Sequence, residues 1–116
     1  MKTIDLSLAL KATEGDMELL CEVIHAFLEE YPGLLSEIAT GLDTRDHRAV
    51  QRASHTIKGT LRIFGEIPAR QSAGELEAMG QSGDLARAEK TFEALRSDLQ
   101  TFREQAVELL KAHCTQ

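Results

Sequence analysis

The segment HTIKGTLRIFG at residues 55–65 places a histidine, a lysine and a glycine at helical spacing. The imidazole of a histidine titrates near pH 6.5, so an uncharged nitrogen with a free lone pair is available as a nucleophile near neutral pH. His55 and Lys58 are three positions apart, which brings two side chains together on one side of a helix. Gly59 follows His55 by one turn. Basic groups around an imidazole suit it to carrying an anion, and a covalently attached phosphoryl group fits this pattern.

Gly59 falls inside a predicted helix, although glycine is a poor residue there. Val50, Ile57 and Leu61 keep one helical phase across the glycine, so the helix continues through it. An interior glycine costs about 1 kcal/mol relative to alanine, and its bare backbone allows another surface to approach closely. His55 and Gly59 face away from the apolar stripe. Their face also carries three arginines, Arg48, Arg52 and Arg62. On geometry alone, a plain soluble face remains an open alternative.

Four amphipathic helices are predicted to position this segment. Apolar periodicity places them at residues 16–42, 44–65, 68–80 and 84–112. Each helix has one apolar stripe, which predicts an all-α, antiparallel up-down four-helix bundle. Residues 4–10 alternate as a strand would but have no partner strand, so a short additional N-terminal helix across the bundle end is expected. The chain reads as a single domain over residues 1–116, with a core at about 5–112.

The starts of the predicted helices have recognisable signals. Asp16 is a plausible N-cap of the first long helix, and Asp43 or Thr44 of the second. Pro68 suits the first position of the third helix, and Asp84 opens the fourth. These residues set the expected helix boundaries.

The expected helix ends depend mainly on glycines. Gly65 is predicted to stop the second long helix, and Gly80 is placed just after the last residue of the third. Pro32 lies within the first long helix, which predicts either a kink or two helices in line.

Composition excludes several classes of function. A formal net charge of -6 argues against nucleic acid as a partner. No stretch approaches the roughly 18 apolar residues of a membrane span, and no signal peptide is recognised, so a cytoplasmic protein without direct membrane contact is expected. Cys21 and Cys114 lack metal or redox spacing and are expected to be free thiols.

The oligomeric state is also suggested by the pattern: a single narrow apolar stripe on each helix favours a monomer.

The pattern H-x-x-K-G-x-x-x-x-x-G, formed by His55, Lys58, Gly59 and Gly65, resembles the signature of histidine-containing phosphotransfer domains. The segments GDMELLCEVIHAFLEEYPGLLSEI, GELEAMG and SGDLARAE also read like that family. The resemblance covers about residues 5–110. It implies a helical bundle that relays phosphoryl groups in two-component signalling.

The resemblance also implies roles for individual residues. His55 would accept a phosphoryl group from the aspartate of a response-regulator receiver domain and pass it to another receiver. Lys58, Gly59, Arg62 and Arg52 would support the phosphate or the docked receiver, with Gly65 as part of the structural motif. The donor receiver would be a separate protein or belong to a hybrid sensor kinase, of which this domain would then be a piece.

No cofactor or metal is expected on this chain. We expect no carboxylate cluster facing His55, and the eight glycines form no nucleotide-binding loop. Magnesium and the acidic residues that hold it are therefore expected on the partner receiver. Such a domain is a phosphocarrier and not a complete enzyme.

Two other functions compete with this interpretation. A bundle that docks receivers without carrying phosphate would need the same face, although His55 with Lys58 argues against it. A metal-binding bundle is the second alternative, because Glu22-x-x-His25 has the spacing found in di-iron carboxylate bundles. Those sites need two such motifs, and this chain has one.

Overall fold

The computed structural model describes residues 3–114, and all regular elements in that range are helical. Five α-helices and one 3₁₀ turn follow one another: α1 (Leu6–Ala12), α2 (Met17–Thr44), α3 (His47–Leu61), the 3₁₀ turn (Arg62–Phe64), α4 (Pro68–Ser82) and α5 (Ala88–His113). Residues 3–114 contain no β-strand, and no helix among them has the length and apolar character needed to cross a membrane. The predicted all-α class is confirmed.

The four long helices, α2 to α5, form an elongated bundle with extents of 44 × 23 × 22 Å. Helices that are adjacent in the chain pack against each other, and α5 also packs on α2. At the centre, Phe102 of α5 contacts Phe27 of α2 and Phe64 of the 3₁₀ turn, with ring centroids 5.6 and 5.1 Å apart. Edge-on aromatic pairs of this kind add to the stabilisation that burial provides. The predicted four-helix bundle is confirmed.

The predicted N-terminal helix exists as α1 and packs on the 3₁₀ turn and on α2. Asp5 caps it by accepting a hydrogen bond from the backbone N–H of Leu8 at 3.0 Å. The backbone N–H of Asp5 donates to the carbonyl of Phe64 at 2.9 Å, and the buried Ala9 faces the core. These contacts place α1 at the bundle end where α3 finishes.

The helix starts agree with the sequence at Asp16 and at Pro68, which is the first residue of α4, and differ at α3 and α5. Asp16 accepts a hydrogen bond from the N–H of Leu19, as an N-cap does. The cap of α3 is Asp46, and the prediction of Asp43 or Thr44 is wrong because both lie in the last turn of α2. Helix α5 begins at Ala88 and not at Asp84. Residues 84–87 form a turn in which the Asp84 carboxylate accepts from the N–H of Ala86.

The ends of α3 and α4 also differ from the ends that the sequence predicts. Helix α3 tightens into the 3₁₀ turn after Leu61, so Gly65 ends that turn and not the α-helix itself. Gly80 lies inside α4, which continues to Ser82 and ends at Gly83. Pro32 lies within a single uninterrupted α2 of 28 residues.

Cys21 and Cys114 form a disulfide, so the expectation of two free thiols is wrong for this structure. Cys21 lies in the second turn of α2, and Cys114 follows the last residue of α5. Their Cα atoms are 6.1 Å apart although 93 positions separate them in the sequence. Antiparallel packing of α2 and α5 creates this proximity, which residue spacing cannot reveal.

Candidate functional site

His55 lies in the middle of α3, on the side of the helix that faces away from the core. Its side chain is 66% exposed, whereas Ile57 and Val50 on the other side of the helix are fully buried. Helix α3 runs through Gly59, and nothing lies within 4 Å of the position where a Cβ would stand. The helix therefore presents an exposed imidazole with open backbone one turn further on.

Glu77 of α4 joins His55 and Lys58, although no motif in the sequence marks it. One carboxylate oxygen, Oε2, lies 2.6 Å from Nδ1 of His55, and the other, Oε1, lies 2.5 Å from Nζ of Lys58. The Glu77 side chain is 16% exposed and that of Lys58 is 29% exposed. We call this arrangement of His55, Lys58 and Glu77 the carboxylate bridge. It places one carboxylate against the imidazole.

The carboxylate bridge determines which ring nitrogen of His55 carries the proton. Burial by itself raises the pKa of Glu77, but hydrogen bonds and charge interactions with Lys58 and His55 outweigh it and hold that pKa below its ordinary value. Glu77 is therefore ionised near neutral pH and can only accept hydrogen bonds. Nδ1 of His55 must then carry the proton, so in the uncharged ring Nε2 carries the free lone pair.

Two of the arginines on this face reach the neighbourhood of His55. Arg48, Arg52 and His55 line an open depression of about 430 Å³ together with Gln51 and Glu77. Arg62 does not line it, because it lies at the C-terminal end of α3, two turns from His55. The structure thus brings Arg52 to the predicted site and leaves Arg62 at its far edge.

Gly65 has a structural place and makes no contribution to the depression. Its φ of +98° lies in a region that side chains rarely adopt, and a Cβ there would approach the Cβ of Asp5 to 3.2 Å. The glycine lets the chain leave the 3₁₀ turn while α1 packs beside it.

The proposed metal motif does not assemble. Glu22 and His25 are both exposed on α2. Within residues 3–114, no three histidine, cysteine, aspartate or glutamate side chains are grouped so that they could hold a metal ion. His47 and His113 are also exposed. The described residues therefore give no support to the metal-binding alternative.

A sequence model of the Hpt domain family matches residues 22–105. The phosphorelay intermediate protein rdeA of Dictyostelium discoideum is 23% identical over 99 residues, which are 85% of this chain. The chain spans 39% of the length of that relative. The crystal structure of histidine-containing phosphotransfer protein B from Pseudomonas aeruginosa PAO1 superposes with a TM-score of 0.85 and 18% identity, covering 94% of this chain and 95% of that one. At 18% identity, this structural similarity supports the helical-bundle fold alone.

Proposed function

Because this chain belongs to the Hpt domain family, whose members are phosphocarrier modules, we propose that it is a phosphorelay intermediate with His55 as phosphoacceptor. His55 receives a phosphoryl group from the aspartyl phosphate of a response-regulator receiver domain and passes it to another receiver. The carboxylate bridge is the observation that carries the proposal. It holds the proton on Nδ1 and leaves Nε2 of an exposed imidazole free to react.

The transfer step needs little from this chain beyond position and charge. The lone pair on Nε2 attacks the phosphorus, a nitrogen–phosphorus bond forms, and the bond between phosphorus and the aspartate oxygen breaks. The carboxylate of the receiver leaves with the bonding electron pair. When the ring is uncharged, no proton has to move first, because Nε2 carries the lone pair and the Nδ1 proton stays between the ring and Glu77. The reverse sequence delivers the phosphoryl group to the next receiver.

The neighbouring residues support this step in different ways. Gly59 gives the receiver room to approach the helix beside His55, since no atom lies within 4 Å of its missing Cβ. Arg52 lines the depression at His55 and can meet phosphate oxygens there. Lys58 is paired with Glu77, so its main role is to hold the carboxylate. Arg62 begins the 3₁₀ turn after α3, where a docked receiver would reach it.

We propose that the chain carries phosphate without taking it from a nucleotide. Its eight glycines occur singly, five within helices and three in turns, so no glycine-rich loop is available to hold a triphosphate. The receiver would supply the magnesium ion and its acidic ligands. The donor is then a receiver domain, whether separate or within a hybrid sensor kinase.

A cytoplasmic monomer completes the proposal. In a reducing compartment the Cys21–Cys114 pair would exist as two thiols. Size-exclusion chromatography with light scattering, with and without reductant, measures the oligomeric state. A dimer in both conditions would contradict the monomer.

The direct test is label transfer from a phosphorylated receiver. The purified chain should take up an acid-labile, base-stable label, which His55→Gln should abolish. His47→Gln is the matched control, because His47 is exposed on the same helix and should be replaceable without loss of label. Label that persists on His55→Gln would refute the assignment. A receiver that binds the unlabelled chain and His55→Gln equally, and transfers nothing to either, would favour the docking module.

A further inference from the structure

Gly74 and Gly80 flank Glu77 on α4 at intervals of three residues, and all three positions face α3. A Cβ at Gly80 would lie 2.6 Å from the backbone N of Gln51 and 2.8 Å from the carbonyl oxygen of His47. A Cβ at Gly74 would meet only the Cδ of Lys58, at an ordinary 3.6 Å. Helix α4 therefore lies directly against the backbone of α3 at Gly80, one turn from Glu77.

We propose that Gly80 is a positioning residue for the phosphotransfer site: its missing side chain lets α4 lie against the backbone of α3 at the separation at which the Glu77 carboxylate spans His55 and Lys58. The inference rests on the proposed role of His55 and deepens it. Gly80 touches neither the imidazole nor the lysine. It acts through the position of Glu77.

The obstacle that a side chain would meet at Gly80 is backbone, which cannot rotate away. Contacts of 2.6 and 2.8 Å are shorter than real Cβ atoms show, so α4 has to move away from α3 by several tenths of an ångström. The Glu77 side chain is already in short contact with two groups, at 2.6 and 2.5 Å. At Glu77, one turn away, a shift of this size lengthens the 2.6 Å contact with His55 towards the limit of about 3.2 Å for a good N–H···O hydrogen bond, so it weakens the bond between the carboxylate and the imidazole.

No second polar contact replaces the carboxylate bridge. In residues 3–114, the side-chain hydrogen bonds and ion pairs between α3 and α4 are those of Glu77 with His55 and Lys58. Ser54 precedes His55 and is fully buried, but its hydroxyl has no hydrogen-bond partner. The position of the carboxylate therefore depends on how closely the two helices pack.

The experiment compares three glycine-to-alanine variants of α2 and α4. Gly80→Ala introduces the backbone clash, Gly74→Ala adds a Cβ in ordinary contact with the Lys58 side chain, and Gly33→Ala adds one with nothing within 4 Å. Nitrogen-15 NMR of the His55 ring reports which nitrogen carries the proton, and carbon-13 NMR of the Glu77 carboxylate reports its pKa. The charged groups around the ring are Glu77 on α4 and Lys58, Arg48 and Arg52 on α3.

Gly80→Ala should mix the two tautomers of His55 and raise the pKa of Glu77 towards its ordinary value, while both controls keep the original signals. Phosphotransfer should slow by about tenfold, the change expected when one charge-assisted hydrogen bond is lost. Glu77→Gln should slow it similarly, and adding Gly80→Ala to Glu77→Gln should give no further loss. A purely structural role would instead leave the ring signals of the folded variant unchanged.

If Gly80→Ala does not fold alone, the same measurements are made with Ser54→Ala added to every variant, since that change removes an unpartnered buried hydroxyl. Unchanged His55 signals in folded Gly80→Ala, or additive losses in the double variant, would overturn the inference. Normal transfer by a variant that has lost the hydrogen bond would also overturn it. Failure of the proposed function appears separately, as absence of label on the unmodified chain, and leaves the NMR test of the helix geometry valid.

Discussion

The α3–α4 interface and the α2–α5 interface stabilise two sides of one bundle by different means. At α3–α4, small residues allow close backbone approach, and a single carboxylate reaches across at Glu77. At α2–α5, large aromatic rings fill the space, as between Phe27 and Phe102, and a disulfide joins the helix ends. The first interface contains His55, the proposed phosphoacceptor, and the second contains none of the proposed site residues.

The α3–α4 interface positions the groups around His55, whereas the α2–α5 interface mainly stabilises the bundle. A charged group in a thin, partly exposed interface contributes little net stabilisation, because desolvation offsets its pairing. Buried aromatic side chains contribute several kcal/mol each but do not place any reactive atom. We therefore expect substitutions at the α2–α5 interface to change the free energy of unfolding, and substitutions at the carboxylate bridge to change transfer chemistry.

The largest effect on stability is expected at Phe102. Its ring is almost fully buried and contacts Phe27 and Phe64, so Phe102→Ala should lower the free energy of unfolding by about 3–5 kcal/mol. Urea unfolding at neutral pH measures this, with the exposed Leu8→Ala as a control expected to stay within about 0.5 kcal/mol. The His55 ring signals of the folded variant should not change. Equal costs for the two variants would contradict a core role for Phe102.

The disulfide should give the next largest effect. Reduction of the Cys21–Cys114 bond, which closes most of the chain into one loop, should lower the free energy of unfolding by about 2–4 kcal/mol. Phosphotransfer by the reduced protein should proceed at the original rate. A Cys21→Ser/Cys114→Ser variant is the control, because reductant should not affect it further. Intact mass measurement showing two free thiols after air oxidation would contradict this prediction.

Glu77→Gln should change how strongly the free energy of unfolding falls as the pH is lowered. Because the pKa of Glu77 is lower when folded than when unfolded, its contribution is present above the unfolded pKa of about 4.3 and is lost as pH falls through the lower folded value. The variant should therefore lose less stability than the original protein between about pH 5 and pH 2. Glu75→Gln, an exposed position on the same helix, should keep the original pH dependence. If the free energy of unfolding fell equally with pH in the original protein and in Glu77→Gln, the lowered pKa of Glu77 would be contradicted.

The smallest change in stability is expected at Ser54, where its sign shows whether the buried hydroxyl has a hydrogen-bond partner. Its buried hydroxyl lacks a partner, so Ser54→Ala should leave stability unchanged or raise it by up to about 1 kcal/mol. Ser72→Ala is the matched control, because the buried Ser72 hydroxyl donates to Asp98 at 2.6 Å. That variant should lose about 1 kcal/mol. Thermal unfolding of both variants measures the contrast, and a larger loss at Ser54 would show that its hydroxyl has a partner after all.

Several features of the site follow from residues along one helix. The apolar phase across Gly59 correctly predicted that α3 continues through the glycine and that His55 faces solvent. The N-cap at Asp16 is predictable because the cap and the N–H that it accepts from, that of Leu19, are only three residues apart. The prediction of Asp43 or Thr44 as the cap of α3 shows the limit of such signals, since α2 continues through both residues and leaves Asp46 as the cap.

The all-α class, the amphipathic helices and the exposed histidine follow from the amino-acid sequence, because each depends on residues within a few turns of one another. The partners of that histidine depend on how α3 and α4 pack together. Glu77 is 22 positions from His55, and GELEAMG offers two glutamates without indicating which one faces α3. The position of Gly80 inside α4 and the pairing of Cys21 with Cys114 likewise depend on neighbours that are distant in the sequence. Periodicity shows which face of a helix is buried, but the rotation and separation of two packed helices depend on the side chains of both.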